Sequence, residues 1–243
     1  MEEPLTLDDL SSWPPVLQEV ADESVQMAQR RVPDDREVEL PESLSKVIDQ
    51  ELTKRGIIVY QCSRLLADEV RDIRENGLRA TSSALLADKV EAAVRSGFIT
   101  RAQAELIVNN GVLTSRDQAR GRNGAICALT TLQTAKADPE GVRSFFEYWG
   151  GEITYFWQRH TSDVGLKETL RSIGEPTLIT FVHHPQSTDV YAPDLSTLVV
   201  DLWRNSSAVT GEVHLRIQPG NRLPVTTIVH PGDPRWPARV PIP

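Results

Sequence analysis

Residues 57–64 read Ile57-Ile58-Val59-Tyr60-Gln61-Cys62-Ser63-Arg64, and the chain continues through Leu65 to Asn76 into Gly77-Leu78-Arg79. Ile57 to Tyr60 is a β-branched and aromatic run of the kind that forms a buried strand. Gln61 to Arg64 then predicts a polar turn. Leu66, Val70 and Ile73 at helical spacing predict a short amphipathic helix, with Asp68, Glu69, Arg71, Asp72 and Arg74 on its other side. Gly77 stands where a left-handed residue would stop that helix. A strand running out into Gln-Cys-Ser-Arg brings several polar groups to one hydrophobic edge, and a ligand is expected there. An ordinary βα turn of an α/β domain reads the same way from this segment alone.

Toward the C-terminus, Leu85, Leu86, Val90, Ala93 and Val94 lead up to a stop at Gly97. Thr100 then precedes Ala102, Ala104, Leu106, Ile107 and Val108, so a helical pair is predicted, closed by Asn109-Asn110-Gly111. Gly121-Arg122-Asn123-Gly124-Ala125-Ile126-Cys127-Ala128-Leu129 reads as a glycine turn entering a strand. Val142 to Trp149 predicts a helix, and Gly150-Gly151-Glu152 leads from it into a strand-like Ile153-Thr154-Tyr155-Phe156-Trp157. Glu152, at that tight junction, either bonds a neighbouring backbone or lines a pocket. Thr177 to His183, Thr197 to Trp203, Val213 to Ile217 and Leu223 to His230 read as strands separated by Pro, Gly, Asn and Asp. The proline-rich tail, Pro231 to Pro243, is expected on the surface.

Toward the N-terminus the character changes. Residues 1–50 are acidic, and Leu7, Leu10, Val16, Leu17, Val20 and Val25 predict one or two short amphipathic helices broken at Trp13-Pro14-Pro15 and Val32-Pro33-Asp34-Asp35. Pro41-Glu42-Ser43 opens a further helix through Leu44, Val47, Ile48 and Leu52 that ends at Gly56. This region lacks the strand periodicity of the rest and is expected to be an accessory element that packs on the main domain, covers the pocket or binds a protein partner.

Size and charge narrow the class. A chain of 243 residues can bury a core without disulfide or metal support. With 40% hydrophobic and 25% charged residues it is neither disordered throughout nor a membrane protein. The start, Met1-Glu2-Glu3-Pro4, has neither the basic nor the apolar part of a signal peptide, so a cytoplasmic location is expected. Two cysteines, Cys62 and Cys127, each in an apolar segment, are expected as reduced buried thiols. The five histidines show no metal-ligand spacing. A formal net charge of −8 opposes non-specific nucleic-acid binding. It leaves open a local basic site: Arg116, Arg120 and Arg122, with Arg101, form either a solvated loop or a contact for pyrophosphate or a substrate backbone.

The order strand, polar tetrad, helix, Gly77-Leu78-Arg79 resembles the opening of the ADP-ribosyltransferase fold, shared by diphtheria-toxin-like and poly-ADP-ribose-polymerase-like enzymes. There the opening reads aromatic-His-Gly-Thr-Arg; here Gln61 stands at the histidine and Cys62 at the glycine. Gly121 to Leu129 resembles the family's second element, with Ile126 or Cys127 where a tyrosine stacks on nicotinamide. Gly211-Glu212-Val213-His214-Leu215-Arg216-Ile217-Gln218-Pro219-Gly220 resembles the third, in which a glutamate precedes an apolar strand.

The resemblance implies an α+β protein with a split β-sheet over residues 51–243, a helical insertion at about residues 83–120 and an N-terminal helical extension over residues 1–50. It implies NAD as substrate and transfer of ADP-ribose to a macromolecular acceptor, protein or nucleic acid, in a context such as a bacterial toxin or defence effector. Tyr60 and Gln61 would hold the nicotinamide ribose, Ser63 and Arg64 the ribose or pyrophosphate, and Gly124 and Ile126 the nicotinamide wall. Glu212 would stabilise the oxocarbenium-like centre, with Glu152 as the second candidate carboxylate. A binding module that has lost catalysis, or an NAD glycohydrolase, would share this sequence pattern.

Overall fold

The apolar run at Ile57 becomes the central strand of the molecule, and it runs farther than its polar residues suggest: β1 spans Ile57–Leu65. A computed structural model describes residues 2–31, 40–114, 122–133, 135, 138–155, 164–186, 189–192, 194–204, 212–216 and 221–240. The chain is α+β. Among the described residues seven further strands are β2 (Leu78–Arg79), β3 (Ala125–Leu129), β4 (Glu175–His183), β5 (Val190–Ala192), β6 (Glu212–Arg216), β7 (Arg222–Leu223) and β8 (Thr227–Val229). Six of the eight form one sheet in the order β5-β6-β3-β1-β4-β8, and β2 pairs with β7 apart from it.

Gln61 to Arg64 were expected as a turn but belong to β1, because each is paired across the ladder with β4: Gln61 with Ile179, Cys62 with Leu178, Ser63 with Thr177 and Arg64 with Pro176. A strand buried along one edge carries polar residues where its other edge is open. That other edge meets β3 at one rung, Tyr60↔Leu129. At Arg64 the place of β3 is taken by a different segment: Trp149 forms a bridge with Arg64, and the Gly150 amide donates to the Arg64 carbonyl at 2.8 Å. Between these two contacts the sheet opens.

Helices cover the sheet. They are α1 (Pro15–Arg31), α2 (Glu42–Arg55), α3 (Ala67–Asn76), α4 (Ser83–Arg95), α5 (Arg101–Asn109), α6 (Pro139–Ser144), α7 (Glu152–Tyr155), α8 (Val164–Ser172) and α9 (Leu195–Arg204). None among the described residues is long and apolar enough to cross a membrane. The helix starts follow local chemistry: Ser82 accepts from the Leu85 amide and Thr100 from the Gln103 amide, so each caps a helix through an otherwise orphan donor.

Thr197 to Trp203 was expected as a strand and is α9 instead. Leu195, Leu198, Val199 and Leu202 fall on one helical face and are all buried, while the Asp194 carboxylate accepts from the Thr197 amide at 3.0 Å. The predicted strand at Ile153 is also helical where described, in the short α7, and Phe156 and Trp157 lie outside the described residues. Two consecutive left-handed residues, Gly150 (φ 73°) and Gly151 (φ 62°), turn the chain into it. The helix expected over Val142 to Trp149 stops at Ser144. The strand expected from Leu223 to His230 is cut into β7 and β8, with Pro224, which lacks an amide hydrogen, between them.

Residues 2–31 and 40–50 contribute to the core of the sheet. The Leu5 amide donates to the Gly56 carbonyl at 2.9 Å, and the Ile58 amide donates to the Leu5 carbonyl at 2.8 Å, so the N-terminal segment is stitched to the start of β1. Leu5, Leu7, Trp13, Leu17, Ile48 and Leu52 form one apolar cluster with Ile57, Val59, Ile179 and Phe181 of the sheet and with α9. Trp13 stacks on Trp203 with ring centroids 5.7 Å apart. The predicted break at Val32-Pro33-Asp34-Asp35 lies outside the described residues. A second cluster joins α4, α5 and α8 to Trp149, and a third, around Tyr60, Leu129 and Phe146, lies on the opposite face of β1 from the first.

Candidate functional site

A cleft of two lobes adjoins the second half of β1: one of about 230 Å³ lies in the opening toward β3, the other of about 240 Å³ between β1, α3, β2 and α4. Both are lined by Gln61, Ser63, Thr81, Gly150 and Ile153, so they share one wall. Alternation along β1 explains the wall: Gln61 and Ser63 point to one face, while Tyr60, Cys62 and Arg64 point to the other. Thr81 is held opposite them because its amide donates to the Ala125 carbonyl at 2.9 Å and its carbonyl accepts from the Gly124 amide at 2.8 Å. Across the cleft, a Cβ added at Gly151 would lie 4.0 Å from the Ser63 hydroxyl and meet nothing nearer, so the Gly151 backbone faces open space.

The Gln61 side-chain oxygen is buried and, among the described residues, has no hydrogen-bond partner. An acceptor left in this state costs on the order of 1–3 kcal/mol, which a ligand donor would relieve. Arg122 lines the first lobe, whereas Arg116 and Arg120 lie outside the described residues. In the second lobe Lys89 pairs with Glu69, both about nine-tenths buried, and its ammonium sits 5.4 Å from the centroid of the Trp149 ring. Glu69 also accepts from the Trp149 indole at 2.6 Å and from the Leu66 amide at 2.8 Å. One carboxylate thus ties α3, α4 and the Trp149-Gly150-Gly151 turn together. The other acids on this lobe are matched: Asp88 by Arg79 at 2.7 Å, Asp72 by Arg222 at 2.8 Å and Asp68 by Arg71 at 2.7 Å.

Of the residues singled out in the sequence, the cleft gathers Gln61, Ser63 and Tyr60, the last at the closed end. The Tyr60 ring belongs to the cluster behind the sheet, and burial, followed by the neighbouring Asp8 carboxylate, raises its pKa. Arg64 does not line the cleft; its Nε donates to the Ile173 carbonyl at 2.9 Å. Gly124 (φ 75°) makes the turn into β3, while Ile126 is buried in the core and Cys127 takes the cleft-lining place. Burial pushes the Cys62 thiol up to about 12, so it is protonated at neutral pH for as long as the site stays closed. Glu212 pairs with Leu129, and Leu129 with Tyr60, so Glu212 stands in the row of Tyr60, one step from that of Gln61. Glu152 opens α7 between the cleft residues Gly151 and Ile153. The side chains of both glutamates, and the flanks Gly211 and 217–220, lie outside the described residues.

Thr81, Lys89, Glu69 and Trp149 were missed by the sequence reading. The Trp149-Gly150-Gly151 signal was visible, as a tight turn between two apolar segments, but nothing local indicates that it docks on Arg64. The arrangement offers an amide, two hydroxyls, a guanidinium and glycine backbone to a ligand. Such a set suits binding through hydrogen bonds and fixed charge. No family model, curated protein or solved structure matches this chain.

Proposed function

We propose that the chain is an NAD-dependent ADP-ribosyltransferase that breaks the nicotinamide N-glycosidic bond in the cleft between β1 and β3. The observation carrying this reading is the opening of the β1–β3 ladder directly after Tyr60↔Leu129, at the strand position where the resemblance sets the nicotinamide end of NAD. The unpartnered Gln61 oxygen is suited to receive an N–H of the nicotinamide carboxamide or a ribose hydroxyl. Ser63 and Thr81 add hydroxyls for the ribose. Arg122, in place of the Arg64 expected from sequence, is the first-lobe candidate for pyrophosphate.

In the reaction the bonding pair of the glycosidic bond leaves with nicotinamide, whose positive charge is neutralised, and positive charge develops on the ribose. A fixed anion stabilises that charge, and the acceptor nucleophile then bonds to the anomeric carbon with loss of its proton. Glu212 is the first candidate for the anion and Glu152 the second. A binding module of the same fold is the competing reading, favoured by Cys127 and Leu129 on the wall where an aromatic ring would stack.

Incubating the protein with NAD and measuring free nicotinamide separates enzyme from module. ADP-ribose attached to a macromolecule, rather than released free, separates transferase from glycohydrolase. Binding of NAD without nicotinamide release would overturn the enzyme reading in favour of the module.

A further inference from the structure

The rung that closes the cleft is itself gripped from outside the sheet. Asp8 lies on the N-terminal segment, its side chain 4% exposed, within reach of partners from three parts of the chain. Its carboxylate accepts from the Leu132 amide at 2.8 Å, from the Gln133 amide at 3.1 Å and from the Thr131 hydroxyl, all in the loop that leaves β3 directly after Leu129. It sits beside the Tyr60 hydroxyl and 3.5 Å from the Arg239 guanidinium. Tyr60 and Leu129 are the two members of the rung. One buried charge therefore holds one member by its side chain and the other through the loop it runs into, while Leu5 ties the same segment to the start of β1.

We propose that Asp8 is a positioning residue for the cleft: it clamps the Tyr60–Leu129 rung, so the N-terminal segment sets how far β1 and β3 separate. Two loop amides and a hydroxyl converge on a carboxylate, the strongest acceptor a side chain supplies. An uncharged amide in its place presents an NH2 group to donors, and at least one of them loses its partner. With a single rung behind the clamp, the exit of β3 then frays toward the cleft. The clamp is independent of what the cleft binds, NAD included.

Cys62 and Cys127, on β1 and β3 and in no disulfide, line the cleft and serve as built-in reporters. The test labels the full-length chain with N-ethylmaleimide under native conditions and reads each cysteine by mass spectrometry, with amide exchange followed in parallel. Asp8→Asn is expected to speed labelling of both cysteines about tenfold and to raise exchange locally over residues 125–133, through local opening. Asp9→Asn is the control, because Asp9 caps only the adjacent turn through the Ser11 amide at 3.1 Å and the Ser11 hydroxyl at 2.6 Å; it should change neither. Should Asp8→Asn not fold, Thr131→Val removes one bond of the clamp and should raise the same two rates by a smaller factor. Unchanged labelling in a folded Asp8→Asn or Thr131→Val protein overturns the proposal. So does an equal rise in Asp9→Asn, or a rise in exchange spread uniformly over the molecule.

Discussion

The two halves of β1 differ more than any two regions of the molecule. Ile57 to Tyr60 is held on both edges, by β4 on one and by Leu5 and then β3 on the other. Gln61 to Leu65 keeps β4 but loses β3, regaining a partner only where Trp149 and Gly150 dock at Arg64. One strand thus passes from scaffold to site within a residue. Backbone pairing on the β4 edge pins Gln61 and Ser63 in a fixed geometry, while the missing ladder on the β3 edge leaves space for a ligand. Stability should reside in the first half and ligand contact in the second.

The most damaging change should be deletion of residues 1 to about 40. It removes Leu5, Leu7, Trp13, Leu17 and Ala21 from the cluster that also contains Ile57 and Val59. The truncated chain is expected to lose cooperative thermal unfolding; a soluble product with a sharp transition near that of the full chain would break the claim that the first half of β1 depends on this layer.

Next in size is Ile57→Ala, which empties a fully buried site and should cost about 3 kcal/mol in a denaturant titration. Ser63→Ala, six residues along the same strand, should cost less than about 1 kcal/mol while weakening ligand binding. Equal losses from the two would erase the division between scaffold and site.

The smallest effect on stability, and the most telling sign, is expected from Gln61→Leu. Removing a buried oxygen that has no partner should leave stability unchanged or raise it by about 1 kcal/mol, measured as a shift of the denaturation midpoint. The same change should abolish binding of the cleft ligand. A clear loss of stability would mean that Gln61 belongs with the scaffold half.

Parts of this division were legible in the sequence. The apolar run Ile57 to Tyr60 and its polar continuation mark the scaffold and the site by chemistry alone. The strand's end was not legible, because Gln61 to Arg64 read as a turn until their partners Ile179 to Pro176, more than a hundred residues away, are known. The same limit hid α9: Leu198-Val199-Val200 suits a strand or a helix, and only burial of one helical face decides. Asp8 gave no signal at all, since it acts on a loop 123 to 125 positions distant and makes no local pattern. Of the cleft wall, Gln61 and Ser63 were visible from residue type, whereas Thr81 and the Trp149-Gly150-Gly151 turn arrive by tertiary docking.

The most direct test of the account is nicotinamide release from NAD by the full-length protein, compared with Glu212→Gln and Glu152→Gln at matched folded concentration. Release by the parent chain is expected, with a loss of roughly a hundredfold or more on removing the charge of the carboxylate that faces the ribose and an unchanged unfolding midpoint. Glu212 is expected to be that carboxylate. Loss in Glu152→Gln alone would move the anion to the turn beside Gly151 while keeping the cleft. No release by the parent chain, or release that neither substitution alters, would contradict the central claim.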